Sequence, residues 1–294
     1  MTVLITGGTG FIGSFLTNKL TEIGMDVFIS GTDGEQNPKC KDRLDLNKKS
    51  SWKLLKKNKL EVVYHLAANN DTLNTDYDLM NDANVRYSME IFNHALDSKC
   101  TRFVYASSTA IYGNSPAPFI ENKTSINPLN VYAKSKVALE HYASYMAKTY
   151  NLNMVGLRFC NVYGPGEDHK GKRASMICQL YKQMLAGNRP RIFKDGLQKR
   201  DWIFVEDACS CLIAASKFNG VGVFNCGSGK SITFIELIKI INKQLKTTLE
   251  PEFINNTNEN SYQSYTKCDM KKTKEQLGFE PKYDVIKGIC EICN

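Results

Sequence analysis

Long hydrophobic runs are missing from this chain. No stretch of about eighteen apolar residues occurs among its 294 positions, so no membrane-spanning helix is expected. A secretory leader is not expected either, because the apolar, β-rich run Thr2-Val3-Leu4-Ile5 starts at the second residue. There is no internal repeat. The ten cysteines lack the spacing of a small disulfide framework, which predicts reduced thiols and a cytoplasmic setting. Cys290-x-x-Cys293 has no second pair of matching spacing, so no metal centre is expected. Cys209-x-Cys211 falls in an apolar helical stretch and reads as core packing. The net charge of +8 is spread, not clustered. Its densest group is Lys48-Lys49, Lys53, Lys56-Lys57 and Lys59, with no interleaved aromatics and no nucleic-acid module around it. That reads as the solvated face of a helix. Phosphate-bearing small molecules remain compatible with the basic balance.

What is present begins with glycine. The first strand leads into Gly7-Gly8-Thr9-Gly10-Phe11-Ile12-Gly13, and Phe15, Leu16, Leu20 and Ile23 follow at helical spacing. Strand, glycine turn and helix in direct succession form the context of a dinucleotide-binding turn. Gly7 permits the tight turn, Gly10 lets backbone approach a pyrophosphate, and Gly13 lets helix and strand pack closely. The helix N-terminus then offers free N–H groups and a positive dipole end.

A second constellation is Tyr132-Ala133-Lys134-Ser135-Lys136, with Ser107-Ser108 earlier at the end of an apolar run. Tyr132 and Lys136 share one helix face. A lysine one turn away is expected to pull the phenol's pKa from about 10 toward working pH. Ser108 can hold a substrate oxygen beside the phenol. Together these residues can take a proton from an alcohol while hydride leaves its carbon.

The first half alternates strands (26–30, 60–66, 101–107, 153–159) with helices (82–96, 131–150). This predicts an α/β fold: a Rossmann-type, doubly wound parallel sheet with ligands beyond the strands' carboxyl ends. The second half is richer in Pro-Gly breaks. It reads as short strands at 191–193 and 201–205, a helix over 205–218, an amphipathic segment over 232–246 and a polar loop over 255–264. The expected division is 1–161 with 201–226 for the dinucleotide, and 162–200 with 227–294 as a smaller, discontinuous α/β substrate-binding lobe.

The glycine turn, Tyr64-His65-Leu66-Ala67-Ala68, the run from Ala106 to Gly113 and Tyr132-x-x-x-Lys136 resemble the extended short-chain dehydrogenase/reductase family. Asn161-Val162-Tyr163-Gly164-Pro165 and the run from Arg200 to Asp207 carry that resemblance through the second half. It implies a nucleotide-sugar enzyme with a tightly held NADP or NAD, in a homo-oligomer. The cofactor would touch Gly7, Gly10, Phe11, Ile12, Gly13, Asp45, Leu46, Leu66, Ala67, Ala68, Asn84, Tyr132, Lys136 and Val162. The nucleotide sugar would touch Ser108, Asn161, Phe193, Arg200 and Tyr262. Arg200 also has a physical case, since a guanidinium fork suits a pyrophosphate.

Within the family, the segment Asn127 to Tyr132, Glu167-Asp168-His169-Lys170-Gly171 and Tyr262-Gln263-Ser264-Tyr265-Thr266 resemble the heptose 6-epimerase branch. There Lys170 would match a second acid/base opposite Tyr132. The implied chemistry is oxidation at C6, rotation of the ketone about its exocyclic bond and reduction on the other face. A 4-epimerase would share the site and need no Lys170. A 4,6-dehydratase would place Asp-Glu after its threonine, whereas this chain has Thr109-Ala110-Ile111. A non-catalytic cofactor sensor would commonly lack the tyrosine or the lysine. Two departures matter. The second strand ends in Ser30-Gly31-Thr32 with Asp33 only later, which admits NADP, helped by Lys39, Lys41 or Arg43. Arg173 stands where the heptose enzymes usually place methionine.

Overall fold

The computed structural model describes residues 1–31, 40–255 and 262–293. The first half runs β1 (Thr2–Thr6), α1 (Phe11–Glu22), β2 (Asp26–Ser30), β3 (Asp42–Arg43), α2 (Lys49–Lys57), β4 (Leu60–His65), α3 (Tyr77–Asn81), α4 (Tyr87–Asp97), β5 (Arg102–Ser108), α5 (Val131–Tyr150) and β6 (Asn153–Phe159). It continues through β7 (Asn161–Tyr163), α6 (Met176–Leu185), β8 (Arg191–Phe193), β9 (Lys199–Phe204), α7 (Val205–Lys217), β10 (Val221–Cys226), β11 (Ser231–Thr233), α8 (Phe234–Leu245), β12 (Glu252–Ile254), α9 (Lys271–Leu277) and α10 (Val285–Cys293).

Seven strands form one parallel sheet in the order β10-β6-β5-β4-β1-β2-β3. The order reverses beside β1, so the crevice lies beyond the carboxyl ends of β1 and β4. Side chains alternate across the sheet with the period of two that a strand imposes. Val3, Ile5, Val27, Ile29, Val62 and Tyr64 face α1 and α7, while Leu4, Phe28, Val63, Phe103 and Tyr105 face α2, α4 and α5. Both faces are therefore covered, as a parallel sheet requires. On α2, Trp52 and Leu55 turn inward and Lys49, Lys53, Lys56 and Lys57 are exposed, so the lysine cluster is a solvated face.

Two smaller sheets follow, β11-β9-β7 and β12-β8. Ile177, Leu180, Ile192, Phe234 and Leu237 of this region join the same core as β1 and α1. The two halves thus share one hydrophobic interior.

Two element starts differ from expectation for local reasons. The helix expected over 82–96 begins earlier, at Tyr77, where Asp76 accepts from Leu79 N at 3.0 Å as the N-cap. It then passes through a π turn at Asp82–Arg86. The amphipathic segment expected from 232 starts its helix at Phe234, because Thr233 and Glu236 close a capping box in front of it. A two-residue strand, β3, adds an edge that no periodicity announced. Positions 256–261 of the expected polar loop lie outside the described residues.

Candidate active site

The glycine turn opens a cleft of about 1100 Å³ along the carboxyl ends of β1, β2, β4 and β5. Gly7 has φ +69°, a left-handed conformation that glycine adopts without strain. A Cβ on Gly13 would come within 2.8 Å of the Gly7 carbonyl carbon and the Gly8 Cα, so only glycine lets α1 sit against the turn. The N-cap of α1 is Gly10, with no side-chain cap, which leaves the first-turn amides facing the cleft. Gly7, Gly10, Phe11, Ile12, Gly13, Asp45, Leu46, Leu66, Ala67, Ala68, Tyr132, Lys136 and Val162 all line this space. An uncapped helix N-terminus, a glycine cradle and a volume of this size fit a dinucleotide. Ser30, Gly31 and Arg43 line the same cleft, and Arg43 donates to the Gly31 carbonyl at 2.8 Å. Thr32, Asp33 and Lys39 lie outside the described residues. Lys41 pairs instead with Asp26 at 3.3 Å.

Asn84 does not line the cleft. It is fully buried in the π turn, where its amide accepts from Asn69 N at 2.7 Å and donates to Asn69 O and Ser135 Oγ, each at 2.9 Å. Its place in the fold is a clamp between the loop after β4 and the helix bearing Tyr132. His65 is likewise internal, bonded to Thr6 Oγ1 at 2.8 Å and Ser88 Oγ at 2.7 Å. Burial drives its pKa down to about 3, so the ring is neutral.

Ser108, Tyr132, Lys136 and Lys170 meet in this cleft. Asn130 caps α5 by accepting from Ala133 N at 2.8 Å, which sets Tyr132 in the first turn. Lys136 Nζ lies 5.7 Å from the Tyr132 ring centroid and donates to the Ala106 carbonyl at 2.9 Å. The expected activation of the phenol does not hold for the protein by itself. Burial raises the Tyr132 pKa, and the Ser108 hydroxyl opposes this only in part. Burial also lowers Lys136 to about 8, against the pull of Glu140 one turn on. Desolvation is the largest cause at both groups.

Lys170 reaches the cleft from the turn after β7. Its Nζ is 2.7 Å from Glu167 Oε2 and 4.7 Å from the Phe11 ring centroid. Glu167 is wholly buried and also accepts from Ser175 N and Oγ at 2.7 Å, with Gly164 N at 3.3 Å. The lysine is thus held by a fixed carboxylate and not loose on the surface.

The residues expected to hold substrate divide. Phe193 and Tyr262 line a second cavity of about 700 Å³, their rings edge to face at 5.5 Å. Arg200 is buried, its guanidinium 4.7 Å from the Tyr262 centroid and bonded to the Lys199 carbonyl at 2.9 Å. Burial lowers its pKa, and no carboxylate of the described residues is among its charge partners. Such a cation can still meet an anion. Asn161 lines neither cavity and donates to the Asp201 carbonyl at 3.2 Å. Gln263, beside Tyr262, donates to Thr109 O at 3.3 Å and Gly113 O at 2.8 Å, tying the second cavity's wall to the turn after Ser108.

Residues 3–227 match the model of the NAD dependent epimerase/dehydratase family. The chain belongs to this family. That family is NAD-dependent, and the chain is an epimerase-class enzyme. Among its relatives, the ADP-L-glycero-D-manno-heptose-6-epimerase of Brachyspira hyodysenteriae is 33% identical, over 98% of this chain and 95% of that one. The UDP-glucose 4-epimerase of Thermotoga maritima superposes with a TM-score of 0.92 at 27% identity, covering 100% of this chain and 97% of that one. The ADP-L-glycero-D-manno-heptose-6-epimerase of Helicobacter pylori does so at 0.86 and 29%, covering 99% and 94%.

Sequence reasoning passed over four residues of this epimerase-family site. Glu140 receives Ser107 Oγ at 2.6 Å and the Arg158 fork at 2.9 and 2.7 Å. Its signal was there, four residues after Lys136. Arg158 was visible as a charge inside an otherwise apolar strand. Glu167 opens the segment Glu167-Asp168-His169-Lys170-Gly171, in which the resemblance implies a role for Lys170 alone. Cys160, one of the ten cysteines expected to be reduced thiols, lines the cleft.

Proposed function

We propose that the enzyme is a nucleotide-sugar epimerase that inverts C6 of an ADP-linked glycero-manno-heptose, with Tyr132 and Lys170 as its two acid/base groups. The observation that carries this reading is Lys170 entering the same cleft as Ser108, Tyr132 and Lys136, anchored by buried Glu167. The relatives from Brachyspira hyodysenteriae and Helicobacter pylori support the substrate class. Residues 162–200 and 227–294 form the substrate half in this reading, with Phe193, Arg200 and Tyr262 on the nucleotide and its diphosphate.

The dinucleotide is held by the glycine turn, the α1 N-terminus and Lys136, and it supplies a hydride acceptor and donor. NAD or NADP can serve, since Arg43 beside Ser30 and Gly31 offers a charge to a 2′-phosphate. Ser108 holds the substrate oxygen next to the phenol. Tyr132 exchanges the hydroxyl proton of one epimer and Lys170 that of the other, because the two alcohols point in different directions. The Phe11 ring lies 4.7 Å from the Lys170 ammonium and faces it with its π system. The same reading takes the enzyme as a cytoplasmic homo-oligomer with its cofactor tightly bound.

Purified enzyme is incubated with both ADP-heptose epimers and with UDP-glucose, and stereochemistry is followed by NMR. The expected result is interconversion of the heptoses without net change in NAD(P)H absorbance. Inversion confined to C4 of the hexose would replace the C6 reading with the 4-epimerase one, which the likeness to the Thermotoga enzyme favours.

A further inference from the structure

Cys160 joins β6 to β7, and Cys268 lies in the segment after Tyr262, 108 residues further along. Their sulfurs are 2.8 Å apart and both side chains are buried. Fixed backbone presents each thiol to the other. Cys160 N donates to Cys226 O at 2.9 Å, and Cys268 N to Asp201 Oδ2 at 3.0 Å. On either side of Cys268, Phe119 N donates to Lys267 O at 2.7 Å and Asp269 N to Phe119 O at 2.9 Å. Only Cys160 of the two lines the cofactor cleft.

Asp201 lies close enough for a Cys-Asp-Cys metal group, with all ligand atoms within 4.8 Å. Its carboxylate is already spent, however. It accepts from Ser228 N and Oγ, Gly229 N and Cys268 N. An ion would have to displace several of these buried donors. The pair of sulfurs is the chemistry left over.

We propose that Cys160 and Cys268 form a modification site, a dithiol that hydrogen peroxide entering the cleft converts reversibly into a disulfide stapling the sheet to the Tyr262 segment. In the first step a Cys160 S–O bond forms as the peroxide O–O bond breaks, and the departing oxygen leaves with the thiol proton as water. In the second, Cys268 Sγ attacks the sulfenic sulfur. The S–S bond forms, the S–O bond breaks and a second water carries off the Cys268 proton. Two thiols lose two electrons and two protons, and the peroxide is reduced to water. A small thiol reverses the bond by exchange. Burial pushes Cys268 up to about 11 and Cys160 well above the usual thiol range, so little thiolate is present and oxidation is slow. The sulfurs already touch, so the staple leaves the site's geometry in place. It acts by restricting the unfolded chain across a long loop.

Full-length enzyme is oxidised to completion with hydrogen peroxide, digested without reduction and mapped by mass spectrometry, with a dithiothreitol-treated half as control. The expected result is a Cys160–Cys268 linked peptide that dithiothreitol abolishes, with a higher melting midpoint in the oxidised enzyme. Cys160→Ser and Cys268→Ser each lose that rise. A Cys160 sulfinic acid with Cys268 still free overturns the proposal. So does a Cys211–Cys226 link in its place, the neighbouring thiol pair in the core. A Cys160–Cys268 link without any change in melting overturns the staple. Mapping the wild-type enzyme decides the chemistry even if neither variant folds.

Discussion

A lysine in water keeps its proton to about pH 10.5, whereas buried Lys136 gives it up near 8. The folded protein therefore carries a penalty below pH 8 that fades as pH climbs toward 10.5, where the unfolded chain loses the same proton. That gap corresponds to about 3 kcal/mol, and the Ala106 hydrogen bond offsets about 1 of it. Lys136→Met should thus be more stable than wild type by about 2 kcal/mol at pH 7. The difference should narrow between pH 8 and 10 in urea unfolding. A difference independent of pH would show that charge burial is not its source. Lys170 poses a question of chemistry instead. Lys170→Met should lower kcat by about 10²–10⁴-fold while the purified variant keeps its cofactor. Wild-type turnover would leave Lys170 as a structural partner of Glu167.

At the scale of elements, α5 carries Tyr132, Lys136 and Glu140 at spacings of four, so one helix face holds a site group, its cation and its anchor. The anchor is a bidentate ion pair with Arg158, both side chains largely buried. Arg158 also donates to Tyr112 Oη at 2.8 Å, which donates to Asn225 Oδ1 at 2.8 Å. Glu140→Gln keeps the volume and removes the charge opposite a buried guanidinium. Breaking one side of such a pair costs about 3–5 kcal/mol, so chemical denaturation should show a loss of that order. Because α5 positions Tyr132, kcat should fall by a larger factor than KM rises. An unchanged kcat in the folded variant would confine Glu140 to stability.

The local signals were readable because each is written within a few residues. The turn from Gly7 to Gly13 and the one-turn spacing on α5 need only neighbouring positions. The Glu167–Lys170 pair is also local, yet its burial is not, since Phe11 and Ser175 close over it. Asn84 shows the reverse. The resemblance implied a cofactor contact for it, but the π turn directs its amide into the protein.

The whole molecule brings the second half over the first through one continuous core, and a buried cation is set between them. Arg200 stacks on Tyr262 with no carboxylate of the described residues as its charge partner. A nucleoside diphosphate would restore what burial removed. Arg200→Met should weaken ADP binding by at least about tenfold in calorimetry, the scale of a lost charge-assisted contact. The melting midpoint of the ligand-free protein should hold or rise. Unaltered ADP affinity would remove Arg200 from the substrate site.

By itself the sequence determined the parallel sheet, the dinucleotide turn and the Ser108, Tyr132 and Lys136 group, because period, glycine and helix spacing act over short range. Tertiary structure alone decided the rest. It raised the Tyr132 pKa where sequence pointed downward, turned Asn84 inward, fixed Lys170 on Glu167 and set Cys160 against Cys268. Each of these depends on burial or on partners from distant segments, and desolvation is a property of the packed chain that no local spacing carries.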